Sequence, residues 1–415
     1  MKTTSKQRRR FLKGASAALA GAAVGRVAWA QQDPIKIALT APLSGPAQSV
    51  GEPLLIGAQV AAAQANRAGG VLGRQIEIVP FDDKANPTQT AAVVREMAGQ
   101  KINLIVGPPL TANGMAAYPL LTEYNMIMTI TGSADERFTH ENFMRNVFQA
   151  SPNNYITSRS YTKVLAQRYP DVTVWTAALT DLSAQLTIWN VFSTMLTRAY
   201  AEAGRKITLL DPIVAKLGTP DFRPQLSGLM DSQATGLMNA MFGSDGVTFF
   251  QQARQFGLDK KIKVFADYSM ALDLPLALKR NLPANVMSKV YYPLTLGDDP
   301  LLLELHKAFG AKSGSPVAHP LCIISHNAVQ AYVEAMRAAR STETPKVIEA
   351  LETIKIKSIR GPIHYRKEDH QMLASLSYVK FVPRDAEPGW AAVDAVTTPD
   401  EPNAPLPTPG VALKL

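Results

Sequence analysis

Short apolar runs alternate with segments of helical period along most of this chain, and that alternation restricts its fold more than any other feature. Runs at 35–40, 75–81, 103–106, 126–130, 172–179, 207–210, 236–242 and 263–266 carry the aliphatic and β-branched residues of strands. Between them, 51–68, 88–98, a segment through Ala116 and Tyr124, 153–169 and 186–203 read as helices. In the first, Leu54, Leu55, Ala58, Ala61, Ala62 and Ala65 share one face, and Gly69-Gly70 ends the turn pattern. Strand, helix and strand in regular order predict an α/β fold with a doubly wound parallel sheet. Ligands of such sheets sit beyond the carboxyl ends of the strands, and the loops at 41–46, 107–111 and 131–134 occupy such ends.

Length doubles this picture. Single cores stop growing at roughly 250–300 residues, whereas the chain has 415. The cycle restarts near Asn153, so a second α/β lobe is expected. Helices at 300–309 and 325–340 read as a return to the first lobe, with strands at 361–365 and 377–382 last.

The N-terminus carries an export pattern. Lys2, Lys6, Arg8, Arg9, Arg10 and Lys13 precede a small apolar run from Ala15 to Val24. The order Arg8-Arg9-Arg10-Phe11-Leu12-Lys13 resembles the twin-arginine signature, an address read by a receptor. Ala28-Trp29-Ala30 fits small-x-small cleavage, which sets residues 1–30 as the signal peptide and places the mature chain in the periplasm. The apolar run is too short and too broken to span a bilayer, which takes roughly 20 apolar residues. Seven of the 43 Lys and Arg residues lie before the cut, leaving 36 against 34 acids and a formal charge of +2. A near-neutral mature chain lacks the positive excess that nucleic acid demands. The lone Cys322 excludes an intramolecular disulfide.

An ordered series of motifs then resembles a known family. Pro42-Leu43-Ser44-Gly45, Gly57 on a helix, Asn66-Arg67-Ala68-Gly69-Gly70-Val71-Leu72-Gly73-Arg74, Phe81-Asp82-Asp83 and Ile105-Val106-Gly107-Pro108 are similar to the branched-chain amino acid type of periplasmic binding proteins. Phe143-Met144-Arg145-Asn146, Gln252-Ala253-Arg254-Gln255-Phe256-Gly257-Leu258, Ala350-Leu351 and Arg360-Gly361-Pro362-Ile363 continue the likeness to about Pro383. The resemblance implies two Rossmann-like lobes of the periplasmic binding protein type I, joined by a hinge of three crossings near Pro152, Leu282 and Gly361. Lobe 1 is then 31–152 with 283–361, lobe 2 is 153–282 with 362–396, and 397–415 is a Pro-rich tail, extended on the surface or strapping a lobe or a second subunit. It also implies a small amino-acid-like, amide or organic-acid ligand delivered to an ABC permease in the inner membrane. Sensing through a signalling receptor is the alternative use of the same closure.

The same resemblance marks the candidate site. Ser44 follows the first strand, Leu110 and Thr111 the third, and Thr131, Gly132 and Ser133 the fourth. Thr111 and Ser133 are expected to cap following helices, whose free N–H groups attract an anionic head group. Leu110 stands where a serine is expected, and Asp181 opens a segment, 181–185, that departs from the family's Tyr-Gly motif. Ser244 and Asp245 follow one second-lobe strand; Asp267 and Tyr268 follow another, with Asp267 the candidate for an ammonium group. Tyr291 is expected either to set an aromatic over the cleft or to fill the hinge.

No cofactor is expected. His319, Cys322 and His326 share a helix face but lack a fourth ligand, and the apolar residues around them fit a buried thiol better than a zinc site. The sequence holds none of the Gly-x-Ser-x-Gly, Walker A, His-Glu-x-x-His or first-helix Gly-x-Gly-x-x-Gly patterns, and an enzyme is not expected.

Overall fold

The computed structural model of the protein describes residues 33–415 apart from 46, 242, 270–271, 293 and 295–298. The basic leader, with the export reading made for it, lies outside the described residues. Strand β1 (Ile35–Ala41) is buried along nearly its whole length, with Ile37, Ala38 and Leu39 fully enclosed. Such continuous apolar runs form central parallel strands covered on both faces. With β2 (Ile76–Asp82), β3 (Leu104–Val106), β4 (Ile127–Ile130) and β5 (Val147–Gln149) it makes a parallel sheet of order β2-β1-β3-β4-β5.

The second sheet repeats the scheme. It contains β6 (Val174–Thr180), β7 (Thr208–Leu209), β8 (Ile213–Ala215), β9 (Gly236–Ala240), β10 (Val264–Asp267) and β11 (Val286–Val290), all parallel. A short antiparallel sheet of β12 (Ile356–Ser358), β13 (Gly361–Tyr365) and β14 (Met372–Leu373) comes next. Strands β15 (Ser375–Pro383) and β16 (Trp390–Pro399) then extend the second sheet antiparallel beyond β11, in the order β16-β15-β11-β10-β9-β6-β7. Strand order reverses between β1 and β3 in the first sheet and between β6 and β9 in the second, so each lobe opens a crevice at its own switch point.

Three of the expected boundaries move. Residues 286–290, assigned to the first lobe, are β11 of the second sheet, because Val286, Met287 and Ser288 are buried between β10 and β15. Residues 361–373, assigned mostly to the second, pack on the first: Ile363, Tyr365 and Met372 join its core, and the Tyr365 ring meets Phe148 edge-on with centroids 4.9 Å apart. The chain therefore crosses between lobes at 150–153, after β11, and at Ala374. The tail is neither loose nor uniform from 397. Its first residues complete β16, and the buried Asp400 then anchors it through Arg360. Among the described residues no helix is long and apolar enough to cross a membrane.

Candidate functional site

The carboxyl ends of the two sheets face each other across a cavity of about 1080 Å³. On the first-lobe side its wall begins with Pro109, Leu110 and Thr111 after β3 and continues with Gly132 to Arg137 after β4. Helix Thr111–Glu123 starts at this wall. Its first N–H groups have no carbonyl one turn back, so they are left for a ligand or water.

Thr111 does not cap that helix. Leu110 holds the cap position, with no side-chain hydrogen bond. Being one residue inside, the Thr111 hydroxyl is free of capping and lies 2.9 Å from the Ser133 hydroxyl. Ser133 caps no helix either: its Oγ accepts weakly from the Asp135 N–H at 3.4 Å, and Asp135 caps the short turn that follows. Two hydroxyls from adjacent strand ends are thus brought together at a helix start. Gly132 holds the loop, donating its N–H to Ser151 Oγ at 2.8 Å from a φ of +98° that favours glycine.

The opposite wall carries Ser183 to Gln185 after β6, Ala240 and Met241 at the end of β9, Tyr268 and Ser269 after β10, and Lys289 and Tyr291 at the end of β11. Tyr268 is anchored by its hydroxyl, 2.9 Å from Ser158 Oγ. Arg360 lies beneath the Tyr291 ring at 5.4 Å.

Of the twelve residues singled out from sequence, Leu110, Thr111, Gly132, Ser133, Tyr268 and Tyr291 line the cavity and the other six do not. Ser44 is exposed and donates to Asp82 Oδ2 at 2.5 Å. Thr131 is wholly buried. Asp181 is exposed at the start of its loop, and the chain beyond it, from Ser183, supplies the wall. Ser244 and Asp245 open helix Ser244–Gln255, where Asp245 accepts the Gly218 N–H at 3.1 Å.

Asp267 is the sharpest correction. Its carboxylate accepts from Asn239 Nδ2 at 2.8 Å, Ser269 Oγ at 2.6 Å and Ser288 Oγ at 2.7 Å, and the residue is 1% exposed. Those bonds knit β9, β10 and β11 together and hold the carboxylate inside the sheet, away from the cavity wall.

Sequence reasoning missed Glu136 and Lys289. Glu136 lines the first-lobe wall, accepts the Tyr155 N–H at 2.8 Å, and is pushed up to about 7 by burial against the help of that bond. Lys289 is only partly exposed and holds its Nζ 4.2 Å from the Tyr268 ring centroid. Desolvation brings its ammonium down to about 8, although Asp267 pulls the other way. Its signal in the sequence was a lysine inside the apolar run 286–292, in a segment not read as a strand.

The zinc-like triplet is packing. His319 caps helix Pro320–Ala339, its Nδ1 accepting the Leu321 N–H at 3.1 Å. Cys322 is fully buried, with its thiol pushed up by desolvation. His326 pairs with Gln64 at 2.6 Å and is held down to about 4 by burial. Among the described residues no group of three or more His, Cys, Asp and Glu side chains is arranged to hold a metal ion.

Two α/β lobes with a cavity between their strand ends agree with what sequence comparison finds: the profile of the periplasmic binding proteins matches residues 34–385. The chain belongs to the periplasmic binding protein family. This is a family of substrate-binding proteins and not of enzymes. A curated relative, the leucine-, isoleucine-, valine-, threonine- and alanine-binding protein of Pseudomonas aeruginosa, is 25% identical over 322 residues, 77% of this chain and 82% of that one. An amino acid ABC transporter substrate-binding protein from Pseudomonas fluorescens superposes with a TM-score of 0.77 at 19% identity, covering 92% of this chain and 99% of that one. A solute-binding protein of an ABC transporter from Rhodopseudomonas palustris, solved with 3,4-dihydroxybenzoic acid, superposes with a TM-score of 0.75 at 18% identity, covering 88% and 98%.

Proposed function

We propose that this periplasmic binding protein captures a small solute with an anionic or strongly polar head group between its lobes and delivers it to an inner-membrane ABC permease. The observation that carries this is the Thr111 and Ser133 hydroxyl pair, 2.9 Å apart on the cavity wall at the start of helix Thr111–Glu123. Hydroxyls beside free helical N–H groups bind anions, and the partial positive charge of the helix end adds to them. The apolar part of the wall, including Leu110 and Met115, suits a body with little polarity. Solute contact with both lobes shifts the population toward the closed form that a permease reads. The ligands named for the similar proteins, aliphatic amino acids with threonine and an aromatic acid, agree in carrying a carboxylate.

A thermal-shift screen of amino acids, amides, ureas and organic acids tests the reading, since a ligand at about 100 times its Kd adds roughly 2.7 kcal/mol of stability. With a ligand in hand, Thr111→Ala and Ser133→Ala are each expected to weaken binding about ten- to a hundredfold in titration calorimetry, the worth of a charge-assisted hydrogen bond of roughly 1.5–3 kcal/mol. The ligand-free melting temperature should barely move. Parent-like binding by both variants would displace the head group from this site.

Export precedes capture in this reading. Replacing Arg8 and Arg9 by lysine is expected to strand the precursor in the cytoplasm, since a receptor that reads a guanidinium pair does not accept ammonium groups. Undiminished periplasmic protein on fractionation would refute the twin-arginine route.

A further inference from the structure

Cavity, charge and hydrogen-bond geometry together say more about the ligand than the head-group site does. A zwitterionic amino acid needs two complementary partners in a desolvated cleft, an anion site for its carboxylate and a carboxylate for its ammonium, because burying either charge unpaired costs several kcal/mol. The first-lobe hydroxyl pair supplies the anion site. On the second lobe the acid placed to meet an ammonium, Asp267, is consumed by Asn239, Ser269 and Ser288. One strand further, the wall presents the opposite charge, Lys289.

Lys289 is held in a definite place. Its Nζ rests on the Tyr268 ring at 4.2 Å, and among the described residues it makes no hydrogen bond or salt bridge, the Asp267 charge acting on it only from beyond contact distance. The Tyr268 hydroxyl also approaches the Asn154 carbonyl at 3.4 Å, while the Asn154 N–H donates to the Ala134 carbonyl at 2.8 Å. Ala134 follows Ser133, so a short chain of contacts ties the Lys289 platform to the first-lobe head-group loop across the hinge. An ammonium resting on a ring face keeps the rest of its donor sphere for an anion.

We propose that Lys289 is a specificity-determining residue, its ammonium gripping from the second lobe the carboxylate that Thr111 and Ser133 hold from the first, so that this chain takes organic acids lacking an α-ammonium group. The inference deepens the solute-binding reading and rests on it. Other charged groups on the cavity wall fit the same selection. Asp135 is committed to Arg137 at 2.8 Å. Of the other two acids on the wall, Glu136 on the head-group loop is buried, which favours its neutral form, and Glu141 is exposed to solvent, which screens its charge.

Matched pairs test it: leucine against 4-methylpentanoate, and phenylalanine against 3-phenylpropanoate, each differing only in the α-ammonium group, with 4-hydroxybenzoate against 4-hydroxybenzamide to isolate the carboxylate. Calorimetry and thermal shift on the full mature chain should show the acid binding at least tenfold more tightly than its amino-acid or amide partner. Lys289→Met should weaken the bound acid ten- to a hundredfold and abolish that preference, with Lys289→Gln as the second variant should the first fold poorly. The comparison on the parent protein needs no variant at all. Tighter binding of the amino acid would overturn the assignment and point to Glu136 as its partner. So would parent-like acid affinity in a folded Lys289 variant whose Thr111→Ala counterpart has lost it. Binding of an amide or urea alone would overturn it and leave the solute-binding reading standing. Silence across every class in the screen would count against both.

Discussion

Asp400→Ala is expected to destabilise the protein by about 3–5 kcal/mol, because it strands a buried arginine without its counter-charge. The side chains of Arg360 and Asp400 have no solvent exposure at all, and Arg360 Nη2 lies 3.2 Å from Asp400 Oδ2. Arg360 also donates from Nε and Nη2 to the Ser375 carbonyl at 3.0 and 2.7 Å, and Asp400 accepts the Ala374 N–H at 3.0 Å. The pair thus fixes the third crossing between the lobes, binds the start of the tail to it, and supports Tyr291 on the cavity wall. Neutralising both partners with apolar residues, Arg360→Met with Asp400→Leu, should recover much of the loss, since an ion pair removed whole leaves no uncompensated charge. Denaturant titration of the single and double variants measures the difference. A cost below about 1 kcal/mol for Asp400→Ala would mean that water reaches the guanidinium and that the crossing is held by the backbone alone.

That ion pair also shows where sequence reading stops. A Pro-rich segment from 397 announces stiffness and nothing about its partner; Asp400 finds Arg360, 40 positions earlier, only through the folding of the chain between them. The parallel strands and first-lobe helices were legible because their apolar residues recur with a period local sequence reveals, as in Gln48–Arg67, expected at 51–68. Strand β11 was not, because Ser288 and Lys289 interrupt its apolar run for reasons that lie on the neighbouring strand and in the cleft. The site divides in the same way. Loops at strand ends are predictable from topology, so Thr111, Gly132 and Ser133, singled out on that ground, lie on the cavity wall. Which polar side chain turns inward is settled by cross-strand partners, so Asp267, expected at the cleft, lies within the sheet, and Lys289, passed over, lies on the cavity wall.

Gly57 carries the other large effect, and it inverts a propensity argument. A glycine in a helix interior costs roughly 0.5–1 kcal/mol relative to alanine, so on local grounds Gly57→Ala in helix Gln48–Arg67 should stabilise. Packing dictates the reverse. The helix lies against Pro320–Ala339 so closely that a Cβ at residue 57 would stand 2.0 Å from the Cys322 carbonyl oxygen and 2.4 Å from Ser325 Oγ. Ser325 could rotate away; a backbone carbonyl in the middle of a helix cannot. Small residues on both partners, Ala58, Ala61, Ala62 and Ala65 against Ala328, Ala331 and Ala335, bring the axes together and join the first lobe's core. Forcing them apart would disturb that core, and overpacking of this kind costs roughly 1–3 kcal/mol or more. Gly57→Ala is therefore expected to lose stability at the upper end of that range. Gly228→Ala, in helix Arg223–Asp231 where a Cβ meets nothing within 4 Å, is expected to gain about 0.4–1 kcal/mol. Opposite signs for the two substitutions in one denaturation series would establish that helix contact, not helix propensity, sets the residue at 57. A neutral or stabilising Gly57→Ala would mean that the two helices slide apart without loss, and that the first lobe tolerates a looser core than its alanine-lined contact implies.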